Sequence, residues 1–266
     1  MKVARVFPTK TNMSPTDEDA YFGEPDLFTP RYDEVRISVT FTWDMDKVAI
    51  LAREWKKHGC VRVGGPAKDD PGEEFIPGLY LKQGVTITSR GCPNSCPFCF
   101  VPKREGKIRE LPVRIGNIIQ DNNLLACSKS HIEKVFAMLK TQKQIDFSGG
   151  LEASRIDDWV VEQLRGLRIH QIWIAYDNMT QALPVERAVN KLTRYFNRDK
   201  IRCYVLIGYG AADTIEKAEM RLRRAWEIGT LPFAMLYQPK EYTKDWKQLQ
   251  RRWTRPAIIK SIMGKI

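Results

Sequence analysis

The chain has 266 residues, of which 43 are Lys or Arg and 32 are Asp or Glu, so its formal net charge is +11. Hydrophobic residues make up 43% and charged residues 28%, which is typical of a globular protein with a buried core. No apolar run reaches the roughly 20 residues of a membrane span, and the first residues lack the apolar stretch of a signal peptide. We therefore expect a cytoplasmic protein that does not enter a membrane.

The first 83 residues predict a short N-terminal extension. Residues 1–33 are rich in Pro, Asp and Thr, which predicts an extended arm or a partly ordered tail. Residues 35–41 alternate and are β-branched, so they predict a strand, while residues 46–57 predict a helix and residues 61–63 a second strand. This strand–helix–strand piece is about half of a doubly wound, Rossmann-like unit and too short for a complete nucleotide-binding domain.

Strands and helices alternate regularly from residue 84 to residue 238. The predicted strands are 85–88, 144–148, 171–176, 202–207 and 232–237. The predicted helices are 131–139, 157–167, 184–196 and 214–228. Such alternation predicts an α/β fold in which helices cover a parallel sheet and the chemistry lies at the C-terminal ends of the strands. The last segment, residues 239–266, is expected to be a basic tail in which a helix begins near Asp245.

The positive charge is concentrated after residue 83. Residues 1–83 carry 12 basic and 14 acidic side chains, whereas residues 84–266 carry 31 basic and 18 acidic ones. The last 28 residues hold eight basic and two acidic side chains. Clustered positive charge attracts phosphates, so a nucleic acid or another phosphate-rich molecule is one expected partner. A solvated basic surface is the alternative interpretation.

Three cysteines follow the predicted strand 85–88. Cys92, Cys96 and Cys99 have the spacing Cys-x3-Cys-x2-Cys. In a chain without an export signal, this favours metal ligands over disulfides. Three thiolates within eight residues can surround one small soft-metal centre. A [4Fe–4S] cluster usually takes four cysteine ligands, so a loop that supplies three would leave one of its irons open to another ligand. A zinc site completed by Cys127 or His131 is the alternative, although zinc sites usually pair two short Cys hairpins and no second one is present.

This cysteine spacing, with Phe98 just before the last cysteine, resembles the radical S-adenosylmethionine (SAM) superfamily. Residues 88–102 are similar to the cluster loop of its methylthiotransferase and B12-associated branches, and the resemblance covers about residues 84–238. It implies a partial (β/α) barrel over that range, preceded by the N-terminal extension and followed by the basic tail. It also implies a [4Fe–4S] cluster, S-adenosyl-L-methionine and a reductant such as flavodoxin or ferredoxin.

The resemblance also implies which residues contact SAM. A glycine-rich strand end, here Ser148-Gly149-Gly150, would hold the SAM amino group, and the acidic residue that normally follows the glycines stands one position later, at Glu152. Asp177 would bond the ribose hydroxyls or the amino group, and Arg155 is either a partner of the SAM carboxylate or a surface arginine. The complete set of expected contacts is Phe98, Phe100, Ser148, Gly149, Gly150, Glu152, Asp177, Gly208 and Met235.

The implied reaction is reductive cleavage of SAM to a 5′-deoxyadenosyl radical that abstracts hydrogen from a substrate. A second cluster is disfavoured because the other cysteines, Cys60, Cys127 and Cys203, are scattered, and cobalamin is disfavoured because no Asp-x-His-x-x-Gly string occurs. The basic second part of the chain favours a nucleic acid or nucleotide as substrate. A peptide or small metabolite is one alternative, and a non-catalytic, metal-holding nucleic-acid-binding module is another.

Overall fold

The structure of the chain, a computed structural model, describes residues 1–70, 74–238 and 243–264. Within these ranges the fold is α/β and contains two parallel sheets, a two-stranded hairpin and eight α-helices. The expected junction between the β/α region and the C-terminal segment, at residues 239–242, lies outside the described residues, as do residues 265 and 266. None of the described helices has the length and apolar character that crossing a bilayer requires.

The N-terminal region forms a four-stranded parallel sheet of its own. Its elements are β1 (Val3–Phe7), β2 (Ala20–Phe22), β3 (Glu34–Ser38), α1 (Val48–Trp55) and β4 (Cys60–Gly64). The spatial order is β2-β1-β3-β4, so β1 lies inside the sheet. One face is packed by α1, which buries Leu51 and Trp55 against Ala4, Val35 and Ile37. The predicted strand, helix and strand at 35–63 are confirmed, and two further strands enlarge the extension.

The expectation that residues 1–33 form an arm or a partly ordered tail is wrong. Residues 3–7 pair in parallel with β2 on one side and β3 on the other, and both Ala4 and Val6 are fully buried. The alternating run is only five residues long and stands among Pro-, Asp- and Thr-rich segments. Its hydrogen-bond partners come from residues 20–22 and 34–38, which a local reading of the sequence does not connect to it.

The second region supplies the larger sheet. Its strands are β5 (Val85–Thr86), β6 (Ser89–Arg90), β7 (Arg109–Glu110), β8 (Ile118–Ile119), β9 (Ile145–Phe147), β10 (Ile169–Ala175), β11 (Ile201–Ile207) and β12 (Leu231–Leu236). Its helices are α2 (Val101–Arg104), α3 (Lys129–Lys140), α4 (Asp158–Arg165), α5 (Ala182–Leu192) and α6 (Ile215–Glu227). The five strands and four helices predicted for this region are all confirmed, with shifts of a few residues at their ends. The two-residue strand β8 is too short to give a periodic signal.

The six strands of this sheet follow one another in chain order. The spatial order is β5-β8-β9-β10-β11-β12, and all pairs are parallel, while β6 and β7 form a separate antiparallel hairpin. Because crossovers between parallel strands share one hand, this order places the connecting helices on one face of the sheet. Alternate strand residues pack with those helices in the main core. The C-terminal ends of all six strands lie at one edge, here called the carboxyl edge.

The C-terminal segment expected as a basic tail contains two helices packed on the main core. They are α7 (Lys244–Thr254) and α8 (Pro256–Met263), and α7 confirms the helix predicted near Asp245. Leu249, Trp253 and Ile259 are at most 2% exposed and belong to the core beneath the sheet. Apolar residues at helical spacing therefore attach this segment, while its basic side chains lie mostly toward solvent.

A pair of adjacent isoleucines tests this packing. Ile259 is fully buried, whereas Ile258 on the same helix is 36% exposed. We expect Ile259→Ala to lower the free energy of unfolding by about 2–4 kcal/mol, because it leaves a cavity in the core. Ile258→Ala is the matched control, with an expected cost of less than about 1 kcal/mol. Urea denaturation of both variants gives the comparison, and equal effects would mean that α8 is not packed on the core.

Candidate functional site

Residues of the candidate site follow four neighbouring strands at the carboxyl edge. Asp121 comes after β8, Ser148 after β9, Asp177 after β10 and Gly208 after β11. The cysteine loop, residues 91–100, begins directly after β6 and close to the end of β5. Because parallel strands end at the same edge, residues far apart in the sequence meet here.

The cysteine loop is closed by contacts at both of its ends. Cys92 and Cys96 are half-buried and Cys99 is exposed, and all three are free thiols. The amide of Cys92 donates to the carbonyl of Gly106 at 3.1 Å, and the guanidinium of Arg90 pairs with Glu105 at 2.8 Å. The loop therefore returns to its starting point at the hairpin, with its thiols between β6 and α2.

A buried carboxylate anchors the start of this loop. Asp121 is 1% exposed and accepts hydrogen bonds from the Thr88 amide at 2.7 Å, the Thr88 hydroxyl at 2.6 Å and the Ser89 hydroxyl at 2.7 Å. Burial raises the pKa of Asp121, against the opposing effect of the bonds from Thr88 and Ser89. These bonds fix the chain just before Cys92 to the end of β8.

The two residues after Asp121 continue the contact along the loop. The side-chain oxygen of Asn122 accepts from the Gly91 amide at 2.9 Å. The amide nitrogen of Asn123 lies 3.4 Å from the sulfur of Cys92 and donates to Glu152 at 2.6 Å. Sequence reasoning missed the run Asp121–Asn123, since the strand before it has only two residues. Its signal is a set of consecutive polar residues directly after Ile118 and Ile119.

Cys96 and Cys99 interact electrostatically with carboxyl groups at the neighbouring strand ends. Burial raises the pKa of Cys96, and the charges of Cys99, Cys92, Asp177 and Glu152 raise it further. Burial also raises the pKa of Cys99, together with the charges of Cys92 and Asp177. Several potential anions thus face one another, and a bound cationic centre would displace the thiol protons and relieve their repulsion.

The thiols do not form a closed single-ion site. Among the described residues, no three His, Cys, Asp or Glu side chains come close enough together to hold one metal ion. Tetrahedral zinc with Zn–S bonds of 2.3 Å would need sulfurs about 3.8 Å apart. The expected zinc alternative, completed by Cys127 or His131, is therefore not assembled in this structure.

The glycine motif after β9 is shaped by close approach of the backbone. A Cβ at Gly149 would overlap the carbonyl oxygen of Asp121, and Gly150 has φ +88°, a conformation that favours glycine. The hydroxyl of Tyr204 donates to the Ser148 carbonyl at 3.1 Å, and Gln120 donates to the Ser148 hydroxyl at 2.9 Å. One lone pair of the Ser148 carbonyl is therefore already used within the protein.

Glu152 is held in place from three directions. Its oxygens accept from Asn123 at 2.6 Å, Ser154 at 2.6 Å and Arg155 at 2.8 Å. Burial opposes ionisation of Glu152, but these bonds together hold its pKa below the ordinary value. Arg155, one expected partner of the SAM carboxylate, pairs with Glu152 in the structure. Because Asn123 bonds both groups, this carboxylate is linked to the Cys92 sulfur.

The buried carboxyl group of Asp177 accepts few hydrogen bonds that would stabilise its charge. It accepts one hydrogen bond, from the Leu206 amide at 3.2 Å, and its own amide donates to Gln181 at 2.7 Å. Burial raises the pKa of Asp177 to about 6, while the Leu206 bond and the charge of Arg221 work in the other direction. Perturbed carboxyls of this kind are frequent in functional sites.

The turn after β11 is fastened by a buried ion pair that sequence reasoning did not identify. Asp213 and Arg221 pair at 2.9 Å, and both side chains are 9% exposed. Asp213 also accepts from the Gly208 amide at 2.7 Å, and Arg221 donates to the Leu206 carbonyl at 2.8 Å. The pair therefore fixes Gly208 close to Asp177.

The other side chains expected to contact SAM are Phe98, Phe100 and Met235, and they differ in how they are attached to the candidate site. Phe98 makes an edge-to-face contact with Tyr209, with ring centroids 5.6 Å apart, so it lies beside the end of β11. Phe100 is 41% exposed and is covered by the guanidinium of Arg104 at 4.6 Å. Met235 is 43% exposed and lies one residue before the end of β12. The structure joins Phe98 to the site through a direct contact, whereas Phe100 packs on its own helix.

Comparison of the chain with protein-family models finds no match, and a search of the curated proteins finds no significant match either. The interpretation of the site therefore depends on its own residues and on the fold that brings them together.

Replacement of Asp177 by Asn tests the cost of this buried carboxyl group. Because its pKa is raised from 3.8 to about 6, the folded state binds the proton more tightly than the unfolded state. The wild type therefore loses stability as the pH rises through this range, and the neutral variant does not. We expect Asp177→Asn to be more stable by roughly 1–3 kcal/mol at pH 7.5 and equal to the wild type below pH about 4. Thermal unfolding across this pH range gives the difference, and parallel curves would contradict the assignment.

Proposed function

We propose that the chain is a radical SAM enzyme whose [4Fe–4S] cluster is held by Cys92, Cys96 and Cys99. The observation that carries the proposal is the attachment of the three-thiol loop, through Asp121 and its neighbours, to the carboxyl edge of a parallel sheet. The proposal includes the finer fold, a partial (β/α) barrel. Six parallel strands in chain order, with helices on one face, support that assignment.

The donor set suits such a group. Three free thiols in one loop supply the soft ligands that an iron–sulfur cluster takes. When bound, the cluster supplies the electron that breaks the S–C5′ bond of SAM, giving methionine and a 5′-deoxyadenosyl radical that abstracts hydrogen from the substrate. A flavodoxin or ferredoxin is the proposed source of that electron.

The protein's own residues position and shield the reacting groups. Asn123 donates to the Cys92 sulfur, and such bonds tune the potential of a cluster. Glu152 and Asp177 present carboxyl groups beside the thiols, where they can accept hydrogen bonds from the amino group or ribose of SAM. Phe98 and Tyr209 contribute apolar cover at the end of β11, which helps to keep water from a reactive carbon radical.

A nucleic acid or nucleotide is the proposed substrate. The helices α7 and α8 form a groove of about 510 Å³ that contains three arginines; its lining is Gln248, Arg251, Arg252, Arg255 and Ile258. Arg251 and Arg255 are exposed, and Arg252 pairs with Glu219 at 3.5 Å. Clustered guanidinium groups suit phosphate contacts. Because α7 follows β12 in the chain and packs against it, the groove lies on a helix that is attached to the last strand of the main sheet.

Serine substitutions test the cluster. We expect Cys92→Ser, Cys96→Ser and Cys99→Ser each to lose the iron–sulfur signal in electron paramagnetic resonance and all 5′-deoxyadenosine formation. Cys60→Ser is the matched control, because Cys60 is exposed and lies in the N-terminal sheet. The measurement is anaerobic reconstitution with iron and sulfide followed by reduction with dithionite, where the wild type should hold about four irons per chain.

Two outcomes would contradict the assignment of the cluster. One is purified protein that contains stoichiometric zinc and takes up no iron after its removal. The other is a Cys60→Ser variant that loses as much iron as the loop variants.

Substitutions in the arginine groove test the substrate class. We expect Arg251→Gln with Arg255→Gln to weaken binding of tRNA or duplex DNA and to reduce the slope of log K against log salt by about 1 for each lost phosphate contact. The exposed pair Arg31→Gln with Arg53→Gln, on the N-terminal region, removes the same charge and should leave the slope unchanged. Fluorescence anisotropy at several salt concentrations measures both. Equal slopes for the two double variants would exclude the groove as a nucleic-acid contact.

A further inference from the structure

An arginine lies buried in the main sheet without a hydrogen-bonding partner. Arg202 is 5% exposed, and within the described part of the chain its guanidinium makes no hydrogen bond or ion pair. It stands in β11 between Ile201 and Cys203, which pack with the helices. Side chains alternate along a strand, so Arg202 lies on the opposite face of the sheet.

Aromatic rings surround this guanidinium. Its central carbon lies 4.8 Å from the centre of the Trp173 ring and 5.8 Å from that of Phe233. Tyr204 stacks on Trp173 with ring centroids 4.2 Å apart and meets Phe233 edge-on at 5.9 Å. We call these four residues, Arg202, Trp173, Tyr204 and Phe233, the aromatic face.

Three buried polar atoms on neighbouring strands make no hydrogen bond of ordinary length and angle here. They are the Nε of Arg202, the Nε1 of Trp173 and the Oδ1 of Asp146. Arg202 and Trp173 are register partners in β10 and β11, and Asp146 is in β9, on the far side of β10. Trp173 and Asp146 interact with each other, because burial raises the pKa of Asp146 and a side-chain bond from Trp173 opposes that rise. Arg202 is therefore the donor that remains for the acceptor oxygens of a ligand.

An unpaired buried cation is unfavourable for folding alone. Burial lowers the pKa of Arg202, and the charges of Tyr204, Asp146 and Asp199 oppose that effect without forming an ion pair. Ring contacts compensate a guanidinium only in part, because they leave its N–H groups unbonded. A leucine or methionine would fill the same position at lower cost, so a bound anion accounts for the arginine better than packing does.

We propose that the aromatic face is a binding site for a planar, ring-bearing molecule with an oxyanion, either a carboxylate or a phosphate. Arg202 donates to the oxyanion, and the ring packs against Tyr204 and Phe233. Tyr204 and Phe233 are only half-buried, and Met235 on the same face is 43% exposed, so the ligand approaches from that side.

Arg202 lies at the end of the aromatic face that is farther from the residues expected to contact SAM, whereas the Tyr204 hydroxyl, nearer the carboxyl edge, donates to the Ser148 carbonyl. Arg202 precedes Gly208 by six residues, or about 20 Å along the strand, and Trp173 precedes Asp177 by four residues, or about 13 Å. A ligand anchored at Arg202 would extend along the sheet toward the cysteine loop. That the ligand is the substrate rests on the proposed function, whereas binding at Arg202 does not.

Isothermal titration calorimetry with simple anions tests the site. The probes are inorganic phosphate and acetate, followed by adenosine 5′-monophosphate and benzoate, which add a ring to each oxyanion. We expect one ring-bearing probe to bind the wild type at least tenfold more tightly than its simple anion, and its oxyanion identifies the ligand class. Arg202→Gln should weaken that binding at least tenfold, and Arg31→Gln, which removes an exposed charge on the N-terminal region, should leave it unchanged.

Two further variants separate binding from folding and from the cluster. Arg202→Met should keep or raise the melting temperature of the ligand-free protein while losing the probe, because it removes an unpaired buried charge. Cys96→Ser should bind the probe like the wild type, so loss of radical chemistry alone leaves this proposal intact. The proposal is overturned if no probe binds the wild type, if Arg202→Gln binds as well as the wild type, or if Arg202→Met unfolds at a markedly lower temperature.

Discussion

The buried carboxylate of Asp121 holds the candidate site together. Two hydroxyls and one amide donate to it, all from the two residues where the cysteine loop departs from the sheet. Asn122 and Asn123 extend the same contact to Gly91, Cys92 and Glu152. Without this attachment, the thiols would belong to a surface loop with no fixed relation to the other strand ends. The sheet therefore positions the cysteines through a polar network rather than through apolar packing.

The same edge gathers groups whose ionisation is coupled. Burial raises the pKa of Cys96, and the charges of Cys99, Cys92, Asp177 and Glu152 raise it further. The two nearby arginines already have carboxylate partners, because Arg155 pairs with Glu152 and Arg221 pairs with Asp213. A site with this surplus of potential anions favours a positively charged occupant, which both an iron centre and a sulfonium satisfy.

Periodicity predicted the longer elements because each carries its own signal. The strands β9 to β12 and the helices between them, together with α1, β3 and β4, were found from apolar patterns and turn residues. The same patterns did not reveal β1, β2 and β8, which are two to five residues long and depend on pairing with distant segments. Spacing alone identified the cysteines as a set. It did not identify Asp121, Asn123, Asp213 or Arg202, because their roles come from three-dimensional neighbours.

The order of strands in the main sheet has a consequence for how the protein is made. Each strand of this sheet pairs with the strand of the same sheet that precedes it in the chain, and the hairpin of β6 and β7 is made between β5 and β8. Local pairing of this kind keeps the entropy cost of each new strand small and lets a nascent sheet grow during translation. Asp121 emerges only 22 residues after Cys99, so the cysteine loop reaches its anchor before Asp177, Gly208 and the arginine groove are synthesised. The thiols are thus the first part of the site to be synthesised, and the residues that surround them follow in turn.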